Sequence, residues 1–428
     1  MLSLNECKRR ILSGEADEKL LSLYLDPSLL SYEKERYIEA LDLFAGLYGD
    51  GDIAVFSAPG RTEVMGNHTD HQHGEIIAAS INRDAIAIAR PSDDSTIRVK
   101  SGDFPEIVLD IKDLTPDPGS ENGTKSIIKG VVKGFLEHGY QVGGMNVYST
   151  SDVLIGAGLS SSAAFETLIG TILSGLFNEE KVPATEIAVI GQYAENVFFG
   201  KPCGLMDQMA CSVGGLIHVD FADPKEAKVE KIGFDLSSYG YSLCITDTKS
   251  SHDDLTSEYA AIPQEMKSIA SFFGKEYLLG VSLEDLIRNA AALREKCGDR
   301  AYLRAVHFVK ENERVRKGVE AFKEQNVKVF LEQVTLSGKS SFEFLQNVYV
   351  SSDITHQNVS VALALSDAVL DPKTSADRVH GGGFAGTIQA FLKNEDVASY
   401  KKTMDSVFGE GACQALKIRL CGGIKVFG

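Results

Sequence analysis

The sequence predicts an α+β fold with two domains. From Ile53 onward, short runs rich in Ile, Val and Ala predict strands. These runs mix with helical stretches but do not alternate with them regularly, which argues against a doubly wound parallel sheet. A chain of 428 residues is long enough for two domains. A polar segment at residues 222–231 separates two apolar runs, so we assign residues 1–225 to an N-terminal and residues 226–428 to a C-terminal domain.

Pro and Gly separate many of the predicted helices and strands. Residues 1–50 are predicted to be an additional helical segment, because Leu20, Leu23 and Tyr24 recur at helical spacing and Pro27 divides the region. Further helices are predicted at residues 126–139, 161–177, 184–200 and 284–346. Strands are predicted at residues 53–61, 76–90, 95–100, 145–158, 214–221, 241–248, 387–392 and 424–428.

Composition and charge exclude several classes of protein. The chain has 43 Lys and Arg against 60 Asp and Glu, a formal net charge of -17, which disfavours nucleic-acid binding. It has no apolar run near the roughly 18 residues of a membrane span, and its first residues lack a secretory signal. Seven scattered Cys without a CxxC pair predict reduced thiols and a cytoplasmic location. The oligomeric state stays open, and a monomer is compatible with the sequence.

A glycine–serine loop at residues 156–164 is the most informative segment. It joins a predicted strand to a predicted helix, as in loops that bind anions through backbone N–H groups and the helix dipole. Its three serines add hydroxyl donors and a potential Mg²⁺ ligand. A serine N-cap on an ordinary helix is the alternative. The loop is not a Walker A motif, since the chain's GKS, residues 338–340, has Gln333 where that motif needs glycine.

Two other patterns are weaker evidence for a specific function: a glycine motif typical of dinucleotide binding and a histidine cluster typical of metal binding. Residues 381–386 match GxGxxG, but they follow the polar run ADRVH and lead into a predicted strand, whereas a Rossmann loop opens a helix. Residues 67–73 hold three of the nine His, which would suit a metal site. No second cluster supplies the missing ligands, so a polar sugar-binding turn with Asn67, His68 and Asp70 is the better interpretation.

Taken together, these segments resemble the GHMP small-molecule kinases, most closely the galactokinase family. The resemblance rests on five segments in family order: SAPGRTEVMGNHTDHQHG, VLIGAGLSSSAA, KPCGLMDQMA, RAVHFVKENERV and HGGGFAGTIQAF. It implies a two-domain GHMP kinase fold with the active site in the interdomain cleft. It also implies ATP and Mg²⁺ as cofactors, and transfer of the γ-phosphoryl group to the anomeric hydroxyl of a sugar. Residues 1–50 exceed the usual family length and receive no role.

The resemblance also assigns roles to individual residues. Asp207 would be the base that receives the proton of the sugar hydroxyl, and Arg61 would stabilise charge on the transferring phosphoryl group. Sugar-binding roles fall to Asn67, His68, Thr69, Asp70 and Tyr259. Nucleotide-binding roles fall to Ser101, Gly156, Ala157, Gly158, Leu159, Ser160, Ser161 and Ser162. Ser162 and Glu195 would hold Mg²⁺, whose preference for hard oxygen ligands both satisfy.

Departures from the family pattern lie in the sugar-binding segment, which leaves the sugar open. The family's Glu before His-Thr-Asp is Asn67 here, and its Asn two residues after the Arg is Glu63. Galactose is the expected substrate. Galacturonate is the alternative, because a neutral Asn67 would not repel a carboxylate at C6. A non-catalytic sensor of sugar and ATP is a second alternative, which the intact GLSSSAA segment, Arg61 and Asp207 disfavour.

Overall fold

The structure is a computed structural model that describes residues 1–116, 123–153, 158–200, 203–223, 227–250 and 255–428. The described strands are β1 (Leu2–Ser3), β2 (Asp52–Met65), β3 (Glu75–Pro91), β4 (Thr96–Ser101), β5 (Ile107–Asp110), β6 (Met145–Ser151), β7 (Leu216–Asp220), β8 (Lys228–Ile232), β9 (Tyr241–Asp247), β10 (Ala376–His380), β11 (Thr387–Lys393), β12 (Cys413–Leu416) and β13 (Ile424–Phe427).

Helices cover both sheet faces and fill the region between the sheets. The described α-helices are α1 (Leu4–Ser13), α2 (Asp17–Tyr24), α3 (Leu30–Tyr48), α4 (Thr124–Glu137), α5 (Ser161–Phe177), α6 (Ala184–Tyr193), α7 (Met206–Val213), α8 (Thr256–Phe272), α9 (Leu283–Arg288), α10 (Ala290–Cys297), α11 (Asp299–Lys323), α12 (Val327–Ser340), α13 (Asn358–Val369) and α14 (Val397–Phe408). Among the described residues, none of these helices is long and apolar enough to cross a membrane.

The larger sheet has the strand order β1-β2-β3-β6-β4-β5, with β13 added to β2 and the β7–β8 pair added to β3. Neighbours are antiparallel except for β4 and β6. The β2–β3 hairpin is its centre. The pairing shifts register between Pro59 and Arg61 and again between Glu63 and Met65. Such irregularities bend a strand and re-aim its side chains, so β2 turns where it carries Arg61.

The smaller sheet has the order β10-β11-β9-β12, with antiparallel pairs throughout. Helices α11 and α12 lie between it and the larger sheet, and one apolar core joins residues of both sheets to these helices. The larger sheet consists of β1 to β8 together with β13, which lies at the end of the chain and pairs with β2. The sheets therefore confirm the α+β class, while the domain boundary at residue 225 stays a prediction.

Residues 1–50 cover one face of the larger sheet. Helices α1 to α3 pack on Ile53, Val55, Ile86 and Ile88, while α4 to α6 pack on the alternate residues of the same strands, such as Ala54 and Phe56. This two-residue alternation is the side-chain period of a strand. Leu20, Leu23 and Tyr24 are buried on one face of α2, and Pro27 lies between α2 and α3, so the helical prediction for this region is confirmed.

One local interpretation was wrong. The run ADRVH is strand β10, not a polar lead-in to the glycine loop. Two of its polar side chains are buried beside tertiary partners: Arg378 pairs with Glu63, and His380 contacts Thr62. The glycine loop therefore connects two antiparallel strands, β10 and β11. A Rossmann loop would lead into a helix, so the structure supports the rejection of a dinucleotide site.

Candidate active site

Arg61 and Asp207 form the centre of the candidate site, although 146 positions separate them in the chain. Arg61 Nε donates to Asp207 Oδ1 over 2.7 Å, and Nη2 donates to Oδ2 over 2.9 Å. Such a two-point pair fixes the orientation of the carboxylate. Burial opposes the charged form of Arg61, but the charge of Asp207 and its hydrogen bonds raise the pKa of Arg61 above its ordinary value. Ser160 Oγ also donates to Asp207 Oδ2.

Backbone contacts attach this pair to the start of α5. The N–H group of Arg61 donates to Leu159 O over 3.1 Å, and its Nη1 donates to Gly158 O. Gly60 permits this approach, since a Cβ there would lie 2.8 Å from Leu159 O. Asp207 is in the first turn of α7, at its second residue. The bend in β2 and the first turn of α7 therefore meet at the loop that precedes α5.

Ser162 and Glu195 meet at the N-terminus of α5. Ser162 Oγ is 3.5 Å from Glu195 Oε1, and both residues are predicted Mg²⁺ ligands. Glu195 lies in a π-helical turn, Ala194–Phe199, that follows α6. Turns of this kind are frequent at functional sites, where they displace one side chain from the regular helical pattern. The first N–H groups of α5 have no partner within the helix, and its dipole favours negative charge here.

Gln208 links the carboxylate of Glu195 to a second, buried carboxylate, that of Glu166. Its Nε2 donates to Glu195 Oε2 over 2.9 Å and to Glu166 Oε2 over 3.0 Å. Gln208 and Glu166 are 0% and 1% exposed, so Gln208 contacts Glu195 from the buried side. Sequence reasoning overlooked both residues. The available signals were their positions directly after Asp207 and one helical turn after Ser162.

The predicted sugar-binding segment follows β2 and contacts the glycine loop after β10. His68 Nε2 contacts Gly382 O over 2.9 Å, and Tyr259 Oη donates to Gly383 O over 2.7 Å. Burial, followed by the nearby His71, lowers the pKa of His68 to about 3, so this imidazole is neutral at pH 7. The structure thus joins three distant segments of the chain, residues 67–70, Tyr259 and residues 381–383.

Asn67 is fully buried and makes polar contacts on both sides of its amide. Its Nδ2 donates to Glu63 Oε1 over 3.0 Å and to Gly381 O over 2.7 Å. Its Oδ1 accepts from Asn347 Nδ2 over 2.7 Å. Glu63 in turn pairs with Arg378 at 2.8 Å. The orientation of Asn67 is therefore fixed by protein partners, and its sugar-binding role stays a prediction.

The two other predicted sugar ligands differ in their surroundings. Thr69 Oγ1 donates to Gly66 O over 2.8 Å and to Glu75 O over 2.7 Å, which places its hydroxyl in the turn itself. Asp70 packs directly against Gly204, where any Cβ would overlap its carboxylate. Gly204 lies three residues before Asp207, so the side chain of Asp70 approaches the same short segment that carries Asp207. Sequence reasoning missed Gly204, and its only signal was its place in the KPCGLMDQMA segment.

One predicted nucleotide ligand, Ser101, is not part of this cluster. Ser101 is the last residue of β4 and pairs with Ser149 of β6. In the sheet, β3 and β6 lie between β4 and β2, the strand that carries Arg61. Gly156 and Ala157 lie outside the described residues. His73 Nδ1 contacts Phe221 O over 3.1 Å, and its ring lies 4.0 Å from that of Tyr277. Among the described residues, no group of three or more His, Cys, Asp or Glu forms a candidate metal site.

Comparisons with known proteins agree with this geometry. The GHMP kinases N-terminal domain matches residues 126–215, and the galactokinase galactose-binding signature matches residues 42–91. A galactokinase of Glaesserella parasuis is 35% identical over 360 residues, which cover 83% of this chain and 89% of that protein. A galactokinase of Actinobacillus pleuropneumoniae is 33% identical, covering 81% and 86% of the two chains.

Solved structures show the same relationship. A galactokinase of Lactococcus lactis, crystallised with galactose, superposes with a TM-score of 0.77 at 25% identity, covering 90% of this chain and 98% of that one. A mevalonate kinase superposes with a TM-score of 0.60 at 14% identity, covering 85% and 98%, which shows the shared fold alone. With relatives above 30% identity along most of both chains, and with Ser160, Arg61 and Asp207 gathered at one site, this chain belongs to the galactokinase family of GHMP kinases.

Proposed function

We propose that this protein transfers the γ-phosphoryl group of ATP to the anomeric hydroxyl of galactose. The observation that carries the proposal is the two-point pair of Arg61 and Asp207 beside Ser160 at the start of α5. Phosphoryl transfer depends mainly on positioning and on stabilising charge. This site places a carboxylate, a guanidinium and the N-terminus of a helix together, which is the set of groups that such a reaction uses.

Asp207 would act as the base for the sugar hydroxyl. The bond between that oxygen and phosphorus forms as the bond to the leaving ADP breaks, and the hydroxyl proton passes to an Asp207 oxygen. The pair with Arg61 fixes where the oxygens of the Asp207 carboxylate point. Arg61 also brings a planar donor set to the site, which matches the oxygens of a phosphoryl group.

The N-terminus of α5 suits the triphosphate and its metal ion. Ser162 and Glu195 present two hard oxygen ligands 3.5 Å apart, and Gln208 holds Glu195 in place, so the residues present fit Mg²⁺. When bound, Mg²⁺ supplies positive charge beside the phosphate oxygens. The backbone N–H groups of Ser161 and Ser162 would bind phosphate oxygens through the same helix end.

The contacts of Asn67 favour galactose over galacturonate. Galacturonate is the alternative because Asn67, unlike the family's Glu, carries no charge that would repel a substrate carboxylate. However, the carboxylate of Glu63 lies 3.0 Å from the Asn67 amide, so a carboxylate is still present at this place. The cation at this place, Arg378, already binds Glu63 Oε1 and Val64 O and is buried. These three residues, Asn67, Glu63 and Arg378, therefore offer no additional positive charge to a substrate carboxylate.

We further propose that the enzyme works in the cytoplasm and can act as a monomer. All seven cysteines are free thiols, which fits a reducing compartment. Arg61, Asp207, Ser160, Ser162 and Glu195 come from one chain, so no second copy is needed to complete the site.

The test is a coupled ADP-release assay with saturating ATP and Mg²⁺ over galactose, galacturonate, N-acetylgalactosamine and glucose. We expect the highest specificity constant for galactose. A higher value for galacturonate would overturn the substrate assignment but keep the reaction. Binding of galactose and ATP without ADP release would instead identify a sensor.

A further inference from the structure

The N-terminal segment, residues 1–50, reaches a buried carboxylate in the centre of the larger sheet. Asp84 of β3 is 0% exposed. It accepts hydrogen bonds from Arg36 Nη1 over 2.8 Å, from Tyr24 Oη over 3.0 Å and from Arg419 Nη1 over 3.1 Å. A buried carboxylate needs such partners, because its desolvation is costly. Two of these three donors, Arg36 and Tyr24, come from the N-terminal segment.

The same contacts continue to the residue where the chain leaves β6. Arg36 Nη2 and the N–H group of Asp152 both donate to Asp84 O, over 2.8 and 2.9 Å. The Asp152 carboxylate lies 3.5 Å from Arg36 Nη1 and accepts from Tyr32 Oη over 3.1 Å. Helix α3 thus holds Asp152 by its side chain directly and by its backbone through Asp84.

The residue after Asp152 contacts β2 directly before Arg61. Val153 packs against Gly60, where a Cβ would lie 3.0 Å from Val153 Cγ1 and 2.8 Å from Leu159 O. Gly60 is followed by Arg61, whose N–H group binds Leu159 O. The Cα partner of Asp84 in β2 is Pro59, so the Asp84 cluster lies directly beside this part of β2. Val153 and Leu159 therefore rest on the backbone just before Arg61.

We propose that residues 1–50 are a positioning element for the nucleotide site, with Arg36 and Tyr32 of α3 fixing Asp152 so that Gly158–Ser162 and Arg61 keep their mutual placement. These residues touch no substrate, and act through Asp152 and Asp84. The matched galactokinase signature begins at residue 42, so both residues lie before it. The proposal rests on the proposed function only for the identity of the nucleotide.

Tyr32→Phe is the cleanest test, because Tyr32 is 49% exposed and the change removes only the hydroxyl that binds Asp152. We expect the KM for ATP to rise roughly two- to fivefold while the KM for the sugar stays unchanged, as for one lost hydrogen bond to a charged group at the surface. Asp152→Asn should have a similar effect, and the two changes together should be less than additive. Tyr239→Phe is the matched control, since Tyr239 Oη binds Gln325 on another face.

Direct titration of the enzyme with Mg²⁺–ADP separates this inference from the proposed function. If no tested sugar is phosphorylated but Tyr32→Phe still weakens ADP binding, the positioning role holds and the assigned reaction fails. The inference is overturned if Tyr32→Phe and Asp152→Asn bind ADP as the unaltered protein does. It is also overturned if both variants lose affinity for sugar and nucleotide equally and melt at a lower temperature, because a general loss of stability then explains the effect. Finally, it is overturned if the unaltered protein binds no nucleotide.

Discussion

Arg61 holds both carboxylate oxygens of Asp207, with its Nε 2.7 Å from Oδ1 and its Nη2 2.9 Å from Oδ2. One guanidinium thus orients the proposed base and also donates to Gly158 O in the loop before α5. Both of its functions depend on the planar fork of the side chain, which a lysine cannot reproduce. The two residues should therefore act as one unit in catalysis.

Replacing Asp207 by Asn should abolish most turnover and leave nucleotide binding nearly intact. The amide keeps the size of the side chain but removes the acceptor for the sugar proton, so we expect kcat to fall by about 10²- to 10⁴-fold. Steady-state kinetics and ADP titration measure the two effects. Near-normal turnover would remove Asp207 from the mechanism.

Arg61→Lys should cost nearly as much, because the two-point pair and its match to phosphoryl oxygens are lost together. We expect at least a 10²-fold fall in kcat, and much less than additive losses in the double variant with Asp207→Asn. The comparison of single and double variants is the measurement. Fully additive losses would show that the residues act independently.

Magnesium should be the required ion, with Ser162 and Glu195 as its ligands. Ser162→Ala and Glu195→Gln should each raise the Mg²⁺ concentration needed for half-maximal activity by about tenfold, while the KM for the sugar stays unchanged. Gln208→Ala should give a smaller shift, since Gln208 only orients Glu195. Stoichiometric zinc in the purified protein, with activity that Mg²⁺ does not restore after chelation, would refute this assignment.

The sequence was a good guide to the parts of the fold that follow local rules. Side-chain period, Gly and Pro located the N-terminal helices and the strands β2 and β3, because these elements bury regular stripes of apolar residues. It failed at β10, whose buried Arg378 and His380 obey no such period. Arg378 is paired with Glu63 and His380 contacts Thr62, and partners this distant in the chain leave no trace in a local pattern.

The candidate site divides in the same way. The meeting of Arg61 and Asp207 was expected only because the chain resembles a known family, since spacing alone does not bring these positions together. The surroundings of Asn67 were not predictable, because Gly381 and Asn347 set the direction of its amide. The roles of Gln208 and Glu166 as supports also required knowledge of their burial.

Asn67→Glu should destabilise the protein, and the added change Glu63→Asn should restore much of the loss. The single variant would bring two buried carboxylates together, since Glu63 Oε1 lies 3.0 Å from Asn67 Nδ2. We expect the melting temperature to fall by roughly 5 °C or more in the single variant. Calorimetry and the specificity constants for galactose and galacturonate are the measurements.

The restored variant then tests the substrate argument. With Glu at position 67, activity towards galacturonate should fall much further than activity towards galactose. Equal effects on both sugars would mean that position 67 does not read the C6 group. An unchanged melting temperature for Asn67→Glu alone would contradict the buried arrangement itself.

Stability should fall as the pH drops below about 6.5, because buried histidines resist protonation in the folded protein. Burial lowers the pKa of His68 to about 3 and that of His307 to about 4, from an ordinary value of 6.5. For each histidine, the unfolded chain binds a proton at a higher pH than the folded chain does. The stability they contribute is present above pH 6.5 and is lost as the pH falls towards these folded values.

Glu311 should add a second acid-sensitive step below about pH 4.5. Burial opposes its charge, but Arg314 and the other groups around it lower its pKa to about 2 from an ordinary 4.5. Its contribution is thus present above pH 4.5 and disappears as the pH falls towards 2. Urea unfolding midpoints between pH 7 and 3 measure both steps. Glu311→Gln should flatten the plot of the urea midpoint against pH below pH 4.5, whereas Glu284→Gln, at an exposed position, should leave this plot unchanged. For the histidines, a midpoint that stays constant from pH 7 to 5 would contradict the assignment of neutral, buried His68 and His307.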